Sequence, residues 1–339
     1  MLNLSPSVEV FLNRLFWLAA PSRDTAIPNG NASPPPAAPG EGLAASPTVH
    51  GEYAVFVPSG ASKKRRPMVV MLHGAGQDLD DFATGTTMND AAEHHGFVVL
   101  YPGQSKQASA YRCWNWFDPA HQHRSHGEPA RIAALTEHVA AQHGVDRERI
   151  YVAGLSAGGA MACLLGELFP EIYAAVGVHS GLASFAANDL SSGLASMRGT
   201  VRPPSVPSEI PTIVFHGDKD TIVNPINGIQ VIEAAFGIDY PFRVDERVGG
   251  DGRRVTRRRY FHRASKLVRG EHWTLHGASH AWSGGSATGS FADPAGPNAS
   301  EEMLRFFKAQ RLPRGGKCSI DLPSKSAKLG AVAAPIDVP

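Results

Sequence analysis

The sequence predicts an α/β domain with a mostly parallel central sheet and helices on both faces, and three observations lead to this prediction. Short apolar runs rich in valine, isoleucine and aromatic residues recur along the chain, which is typical of strands. Their apolar character is continuous rather than alternating, as in sheets covered on both faces. Stretches with helical character separate them from residue 68 onward. The runs predict six strands, at 53–57, 68–72, 97–101, 150–154, 174–179 and 212–216.

The other elements follow in chain order. Helices are predicted at 128–142 and 157–169, between the later apolar runs. Residues 255–263 and 266–276 alternate polar and apolar positions less regularly, and they predict a late pair of strands. A last helix is predicted at 299–310.

Segments rich in proline, glycine and small residues flank the predicted domain. Residues 21–48 have no hydrophobic period and indicate a linker, and residues 313–339 indicate a similar flexible C-terminal tail. The catalytic domain is therefore predicted to span 49–312. Ahead of the linker, apolar residues recur at helical spacing and form an amphipathic segment, which we expect to dock on the protein itself rather than on a partner or a lipid surface. They are Val8, Phe11, Leu12, Leu15 and Leu18.

Composition excludes several classes of function. The 339 residues include 32 Lys and Arg against 31 Asp and Glu, so the net charge of +1 gives no electrostatic basis for nucleic acid as the main partner. No run reaches the length of about 18 apolar residues that a transmembrane helix needs. The N-terminus lacks the basic region of a signal peptide, which favours the cytoplasm over secretion.

Neither the cysteines nor the histidine-rich stretch predicts a metal site. The cysteines, Cys113, Cys163 and Cys318, are odd in number and far apart, so they form neither a disulfide framework nor a spaced zinc motif. The cluster HQHRSH at 121–126 lacks an accompanying carboxylate pattern, and a solvated loop is the preferred interpretation.

A serine between glycines is the strongest chemical signal. The sequence G-L-S-A-G runs from Gly154 to Gly158, where the predicted strand ending in IYVAG gives way to a predicted helix. This pattern fits a nucleophile elbow, a tight strand-to-helix turn that holds Ser156 in a strained conformation with its hydroxyl exposed. The N-terminus of the following helix favours developing negative charge. Ser156 is therefore the predicted nucleophile.

A serine nucleophile requires a histidine base and a carboxylate that orients it, and on such a sheet the carboxylate precedes the histidine. Asp218 and Asp220 follow the predicted strand at 212–216. We favour Asp220, because residues 217–219 can form the turn that leaves the strand, and Asp218 is the alternative. Among the 15 histidines, His280 comes after the aspartates in a loop of small residues before the last helix.

Acyl transfer also requires N–H donors for the oxyanion of the tetrahedral intermediate. They come from the residue after the nucleophile and from the loop after an early strand. The segment LHGAGQD at 72–78 supplies that loop. The predicted donors are the backbone N–H groups of Ala75 and Ala157.

Together, these segments resemble the esterase/poly(3-hydroxybutyrate) depolymerase family of α/β-hydrolases, which includes feruloyl and acetylxylan esterases. The resemblance covers about residues 52 to 310 and rests on LHGAGQD, CWNWF, DRERIYVAGLSAGGAMA, HGDKDTIV, GASHAWSGG and GPNASEEMLRFF. It implies that Ser156, Asp220 and His280 are catalytic and that no metal or organic cofactor is needed. Many relatives carry a cysteine at the position of Ala75 and a proline at that of Ser283. Ala75 in place of cysteine removes a possible disulfide partner. Ser283 in place of proline is expected to loosen the loop after His280.

The resemblance implies an ester substrate. We expect a poly(3-hydroxybutyrate) or related polyester, or its oligomers, with feruloyl or acetyl esters of polysaccharides as the alternative. A non-catalytic α/β-hydrolase fold used for binding is a remote alternative, because such proteins usually lack a triad member. Trp114 or Trp116, with Trp282, is expected to line the cleft and hold an acyl chain or an aromatic ring, and buried packing is the other interpretation of these side chains.

Overall fold

A computed structural model describes residues 53–60, 64–204, 207–248, 252–262 and 264–313, together with the two-residue strand Ala44–Ala45. The predicted N-terminal amphipathic segment lies outside the described residues, as do the rest of the predicted linker and the tail after residue 313. The strand Ala44–Ala45 falls within the predicted linker and pairs with the strand at the start of the domain. The proposed domain boundaries stay predictions.

A single large sheet forms the centre of the described structure. Its ten strands are β1 Ala44–Ala45, β2 Tyr53–Phe56, β3 Met68–Leu72, β4 Val98–Pro102, β5 Ile150–Leu155, β6 Ala175–His179, β7 Thr212–Gly217, β8 Phe242–Val248, β9 Arg254–Phe261 and β10 Val268–Leu275. They lie in the order β1-β2-β4-β3-β5-β6-β7-β10-β9-β8. The six strands from β4 to β10 in this order are parallel, and the strands at each end are antiparallel. The predicted fold class is confirmed.

Helices cover both faces of this sheet. They are α1 Leu79–Thr86, α2 Met88–His95, α3 Gly127–Gln142, α4 Ala157–Leu168, α5 Leu190–Met197, α6 Ile226–Phe236 and α7 Ala299–Lys308. One apolar layer contains residues of α3, α4 and α6, and the other contains residues of α1, α2 and α7. Successive residues of β3 alternate between the layers, because side chains along a strand point to opposite faces. No helix in the described part of the chain is both long and apolar enough to span a bilayer.

The predicted strands and helices are present, and their ends differ from the predicted ones by at most two residues. Four helices, α1, α2, α5 and α6, were not predicted, and neither were the edge strands β1 and β8 or the short strands Trp282–Ser283 and Ala292–Asp293. Helices α1, α2 and α5 have only eight residues each. Strand β8 is almost entirely exposed, so it lacks the apolar run by which the buried central strands were recognised.

The topology brings four loops to one edge of the sheet. These loops follow β3, β5, β7 and β10, and all four strands are parallel, so their carboxyl ends meet on the same side. A short parallel pair, β11 Trp282–Ser283 and β12 Ala292–Asp293, extends the loop after β10. Ligands of open α/β sheets bind at this edge.

Candidate active site

Ser156 lies in a strained turn between β5 and α4. Its φ of 56° and ψ of −118° place a non-glycine residue in a conformation that L-residues rarely adopt. Its N–H donates to the carbonyl of His179 at 2.9 Å, which ties the turn to the end of β6. The hydroxyl group therefore stands at the carboxyl edge of the sheet on a backbone that is held from both sides.

The two glycines of G-L-S-A-G are required by a close approach of three backbone segments. A Cβ atom on Gly154 would lie 2.4 Å from the carbonyl carbon of Gly158. A Cβ atom on Gly158 would lie 2.1 Å from the carbonyl oxygen of Leu72 in the neighbouring strand β3. Real Cβ contacts are never this short, so the turn can form only when both positions lack a side chain.

Asp220 and His280 form a buried pair beside this turn. The Nδ1 atom of His280 lies 2.7 Å from Oδ2 of Asp220. The other oxygen, Oδ1, accepts the N–H groups of Ile222 and Val223, each at 2.9 Å. The turn after β7 thus folds around the carboxylate and aims one oxygen at the histidine.

The carboxyl group of Asp220 is ionised in this setting. Burial alone would raise its pKa, but the charge of His280 and hydrogen bonds from His216 and His280 hold the pKa well below its ordinary value. An ionised carboxylate only accepts hydrogen bonds, so Nδ1 of His280 carries a proton. In the neutral ring, Nε2 is then left as an acceptor, which is the tautomer that a general base needs.

The alternative carboxylate, Asp218, pairs with a different histidine. Its Oδ2 lies 2.9 Å from Nδ1 of His276, and its Oδ1 accepts the N–H of Gly277 at 2.7 Å. The Nε2 atom of His276 lies 2.9 Å from Oγ1 of Thr256. This pair is about one third exposed, whereas the pair of Asp220 and His280 is buried. The structure therefore brings Asp220, and not Asp218, to His280.

Ser156 and His280 line one cavity of about 100 Å³. Ala75 and Ala157 line the same cavity. Apart from the serine, the histidine, Gln77 and backbone groups, its walls are apolar side chains of Cys113, Trp116, Phe117, Leu155, Leu182, Leu190, Leu194, Met197, Ile222, Val223 and Phe291.

The N–H groups of Ala75 and Ala157 are available as donors. In the loop after β3, the N–H of Gly74 donates to Oε1 of Gln77 at 3.0 Å, and the N–H of Gly76 donates to the carbonyl of Tyr111 at 2.7 Å. No hydrogen bond among the described residues uses the N–H of Ala75 between them. Ala157 is the first residue of α4, where the helix offers its N–H no acceptor.

Of the three tryptophans expected in the cleft, only Trp116 lines the cavity. The expectation is wrong for Trp114 and Trp282, each of which is 1% exposed. The indole N–H of Trp114 donates to the carbonyl of His73 at 3.0 Å, and that of Trp282 donates to Oγ of Ser300 at 3.2 Å. Because each indole finds a buried acceptor, both rings pack in the core behind the cavity.

One wall of the cavity comes from α5, within the segment 183–207, whose sequence suggests a border of the cleft without indicating the contacts. Helix α5 contributes Leu190, Gly193, Leu194 and Met197 to the lining, and α5 begins with a capping box formed by Asp189 and Ser192. The segment carries no catalytic pattern that could have indicated these contacts.

The side chain of Gln122 links the segment before α5 to the opposite wall of the cavity, which contains Trp116. The amide of Gln122 donates to the carbonyl of Trp116 at 2.9 Å and to that of Ala187 at 2.8 Å. The opposite wall is held in turn by the buried carboxylate of Glu128, which accepts the backbone N–H of Asn115 at 2.8 Å and the side-chain amide of Gln104 at 2.6 Å. The cavity thus has fixed walls.

Ser283, where many relatives carry proline, anchors the loop after His280. Its N–H donates to Nε2 of His179 at 3.1 Å, and its hydroxyl donates to the carbonyl of Pro297 at 2.8 Å. The expected loosening is therefore wrong, because serine supplies two hydrogen bonds, one buried and one partly buried, that proline cannot make.

The described residues contain no group of three or more His, Cys, Asp or Glu side chains arranged to hold a metal ion. In the histidine-rich stretch at 121–126, the rings of His123 and His126 stack on each other with centroids 4.4 Å apart. The Nδ1 atom of His121 accepts the backbone N–H of Glu128 at 3.1 Å.

A strained serine after a central strand of a mostly parallel sheet, with an Asp–His pair on the loops after β7 and β10, defines an α/β-hydrolase. The model of the family described as "Esterase PHB depolymerase" matches residues 51–239. The chain belongs to this family. The matched segment includes Ser156 and Asp220 and ends before His280.

Individual relatives are about 30% identical to this chain, and only over part of their length. Poly(3-hydroxyalkanoate) depolymerase C of Paucimonas lemoignei is 30% identical over 212 residues, which are 57% of this chain and 50% of that protein. Feruloyl esterase B of Neurospora crassa is 32% identical over 117 residues, 34% of this chain and 39% of that protein. The chain thus spans half or less of the length of these relatives. An acetyl xylan esterase structure from Aspergillus awamori, at 17% identity, superposes with a TM-score of 0.59 over 78% of this chain and 99% of that one, which shows the shared fold.

The buried histidines near the site predict how stability depends on pH. Burial lowers the pKa of His179 and of His272 to about 3, and that of His73 to about 4. Between these values and the ordinary pKa of 6.5, the unfolded chain binds protons that the folded chain does not, so the free energy of unfolding falls as pH falls. We expect a loss of about 1.4 kcal/mol per pH unit for each histidine within this range.

Urea unfolding at several pH values between 6.5 and 4.5 measures this slope. His272→Leu removes one titrating group, so its slope is expected to be smaller by about 1.4 kcal/mol per pH unit, whatever its absolute stability. A wild-type free energy of unfolding that is flat over this range would contradict the prediction.

Proposed function

We propose that this protein is a serine hydrolase of carboxylic esters that works through an acyl-enzyme. The observation that carries the proposal is the convergence of three features at one apolar cavity. These are the strained Ser156, the buried pair of His280 and Asp220, and the two available N–H groups of Ala75 and Ala157. Each feature supplies one requirement of acyl transfer: a nucleophile, an oriented base and stabilisation of the oxyanion.

In the first half of the reaction, Oγ of Ser156 attacks the ester carbonyl carbon while Nε2 of His280 takes the hydroxyl proton. The carbonyl oxygen becomes an oxyanion that accepts the N–H groups of Ala75 and Ala157. Asp220 keeps its negative charge and stabilises the imidazolium. When the bond to the alcohol breaks, His280 returns the proton to the leaving oxygen, and the acyl group stays on the serine.

In the second half, water replaces the alcohol. His280 takes a proton from the water as its oxygen attacks the acyl carbon, and the same two N–H groups stabilise the second oxyanion. The bond between the acyl group and Oγ then breaks, and His280 returns the proton to Ser156. The sum of both halves is an ester and water giving an acid and an alcohol.

The cavity favours a short aliphatic acyl group. An apolar cavity of about 150 Å³ accommodates benzene, so one of about 100 Å³ suits a chain of a few carbon atoms. An acetyl group would leave much of the apolar wall uncovered. We therefore propose esters of short hydroxyalkanoic acids as substrates, namely poly(3-hydroxybutyrate) or its oligomers. The depolymerase named among the relatives supports this choice.

Feruloyl or acetyl esters of polysaccharides are the second candidate, supported by the names of other relatives. The feruloyl ring carries polar substituents, and the lining offers them few polar side chains beyond those of the proposed mechanism.

Replacement of Ser156 by alanine tests the mechanism and the substrate together. We expect the wild-type protein to release 3-hydroxybutyrate from amorphous poly(3-hydroxybutyrate), to hydrolyse 4-nitrophenyl butyrate and to be labelled by a fluorophosphonate. Ser156→Ala should abolish labelling and lower both rates by about five orders of magnitude. Labelling of the variant would refute the nucleophile. Cleavage of the small ester alone would direct attention to polysaccharide esters, and a folded wild-type protein that cleaves neither would favour the binding alternative.

The two neighbouring aspartates form a matched pair for testing the carboxylate. Asp220→Asn should lower kcat/KM for 4-nitrophenyl butyrate by about 10³- to 10⁴-fold, because the amide no longer holds His280 in the required tautomer. Asp218→Asn, two residues away on the pair with His276, should leave kcat/KM near the wild-type value. A large loss in the Asp218 variant with a small one in the Asp220 variant would reverse the assignment.

Gly193 tests the proposed acyl cavity. A Cβ atom at this position would lie 3.2 Å from Cβ of Phe117 and 3.6 Å from Cη2 of Trp116, so a side chain there fills the cavity. Gly193→Ala, and more strongly Gly193→Val, should lower kcat/KM for 4-nitrophenyl butyrate by roughly tenfold or more and leave the acetate ester nearly unchanged. Ser191→Ala, on the exposed side of the same helix, is the control. An equal loss for all acyl lengths would contradict a role in chain-length selection.

A further inference from the structure

A second histidine reaches the carboxylate of Asp220. His216 is the fifth of the six residues of β7, and its Nε2 atom lies 3.3 Å from Oδ2 of Asp220, the oxygen that also faces His280. The same Nε2 atom lies 2.9 Å from the carbonyl oxygen of Val223. Asp220 thus lies between two imidazole rings, of which the mechanism uses only one.

The protonation of His216 follows from these contacts. The carbonyl oxygen of Val223 can only accept a hydrogen bond, so Nε2 of His216 must carry a proton. That N–H donates to the Val223 carbonyl at 2.9 Å, and Oδ2 of Asp220, 3.3 Å from the same nitrogen, is its second and more distant acceptor. The other nitrogen, Nδ1, is buried and has no hydrogen-bond partner among the described residues. A neutral ring with its proton on Nε2 satisfies both observations, because a protonated Nδ1 would be a buried donor without an acceptor.

The ring of His216 is fixed by packing from α6. A Cβ atom on Gly228 would lie 3.0 Å from Nδ1 of His216 and 2.9 Å from Nε2 of His272, so the backbone of α6 approaches both rings closely. His216 itself is 1% exposed. Its orientation towards Asp220 is therefore set by the fold and does not depend on substrate.

The charged and titratable groups near this ring are few. Asp220 faces it from the turn after β7, His179 from β6 and His272 from β10, and Arg258 lies beyond His272. Burial keeps His179 and His272 neutral at physiological pH. His280 is thus the group beside Asp220 that gains a proton during the reaction.

We propose that His216 is a positioning residue for the catalytic carboxylate. This inference rests on the proposed function. Its Nε2–H holds the Asp220 oxygen in place beside His280, and it joins that oxygen to the carbonyl of Val223, a residue that lines the acyl cavity. These contacts of His216 therefore couple the orientation of His280 to the cavity wall against which the substrate packs.

The hydrogen bond from His216 also moderates the charge that Asp220 presents to His280. A donor on Oδ2 draws negative charge away from the His280 side of the carboxylate. When the donor is removed, the imidazolium form of His280 is stabilised more strongly, and His280 accepts its first proton at a higher pH. In the pH profile of kcat/KM for 4-nitrophenyl butyrate, the acid limb, where the rate falls as His280 becomes protonated, should then move to higher pH. A purely structural role of His216 would not produce this shift.

Two replacements of His216 separate positioning from packing. His216→Leu removes the donor, whereas His216→Gln keeps an N–H donor on a side chain of similar reach. We expect the leucine variant to lose about tenfold or more in kcat with little change in KM and to shift the acid limb upward. The glutamine variant should recover most of the rate and the wild-type acid limb. His276→Gln is the control, because His276 forms the similar pair with Asp218, and its kcat and acid limb should match those of the wild type.

The proposal is overturned if the folded leucine variant keeps the wild-type kcat and acid limb, or if leucine and glutamine reduce kcat equally with no shift of that limb. If the leucine variant does not fold, His216→Phe replaces it as the variant without a donor. An NMR titration of the His280 ring gives a readout without turnover, in which the pKa of His280 rises in the variant that lacks the donor. An inactive wild-type protein would refute the proposed function, whereas an unchanged His280 titration would refute the role of His216.

Discussion

The buried charge of Asp220 is the interaction on which the rest of the site depends. A carboxylate removed from water is stable only when its oxygens are fully satisfied, because an uncompensated buried charge costs several kcal/mol. Here the N–H groups of Ile222 and Val223 take one oxygen, and the His280 and His216 rings face the other. Meeting this requirement fixes the turn after β7 and the loop after β10.

The same requirement shapes the acyl cavity. Ile222 and Val223, whose N–H groups satisfy Asp220, present their side chains to the cavity, so the carboxylate holds both the base and part of the wall. The facing walls come from α5 and from the loop that contains Trp116, and the amide of Gln122 joins them. The hydrogen bonds of Asp220 thus position both His280 and one part of the cavity wall, and a separate set around Gln122 holds the facing walls.

Much of this arrangement could be predicted from local patterns. The buried strands were predicted because a strand covered on both faces must be continuously apolar, and strand β8, which is exposed, was missed for the same reason. Ser156 was predictable because its turn admits only small residues at Gly154 and Gly158. The tryptophans show the limit of this approach. An indole in a motif gives no sign of whether its N–H meets a buried acceptor, and only Trp116 lines the cavity.

The sequence by itself determined the class of fold, the candidate nucleophile Ser156 and the chain order of its proposed partners, because each depends on residues close together in the chain or on chain order. Only the tertiary structure decided between Asp218 and Asp220, since each aspartate has a histidine brought to it from the loop after β10. The second histidine on Asp220 and the wall formed by α5 were also decided there. These features depend on distances between residues far apart in sequence, and no local pattern of residues encodes such distances.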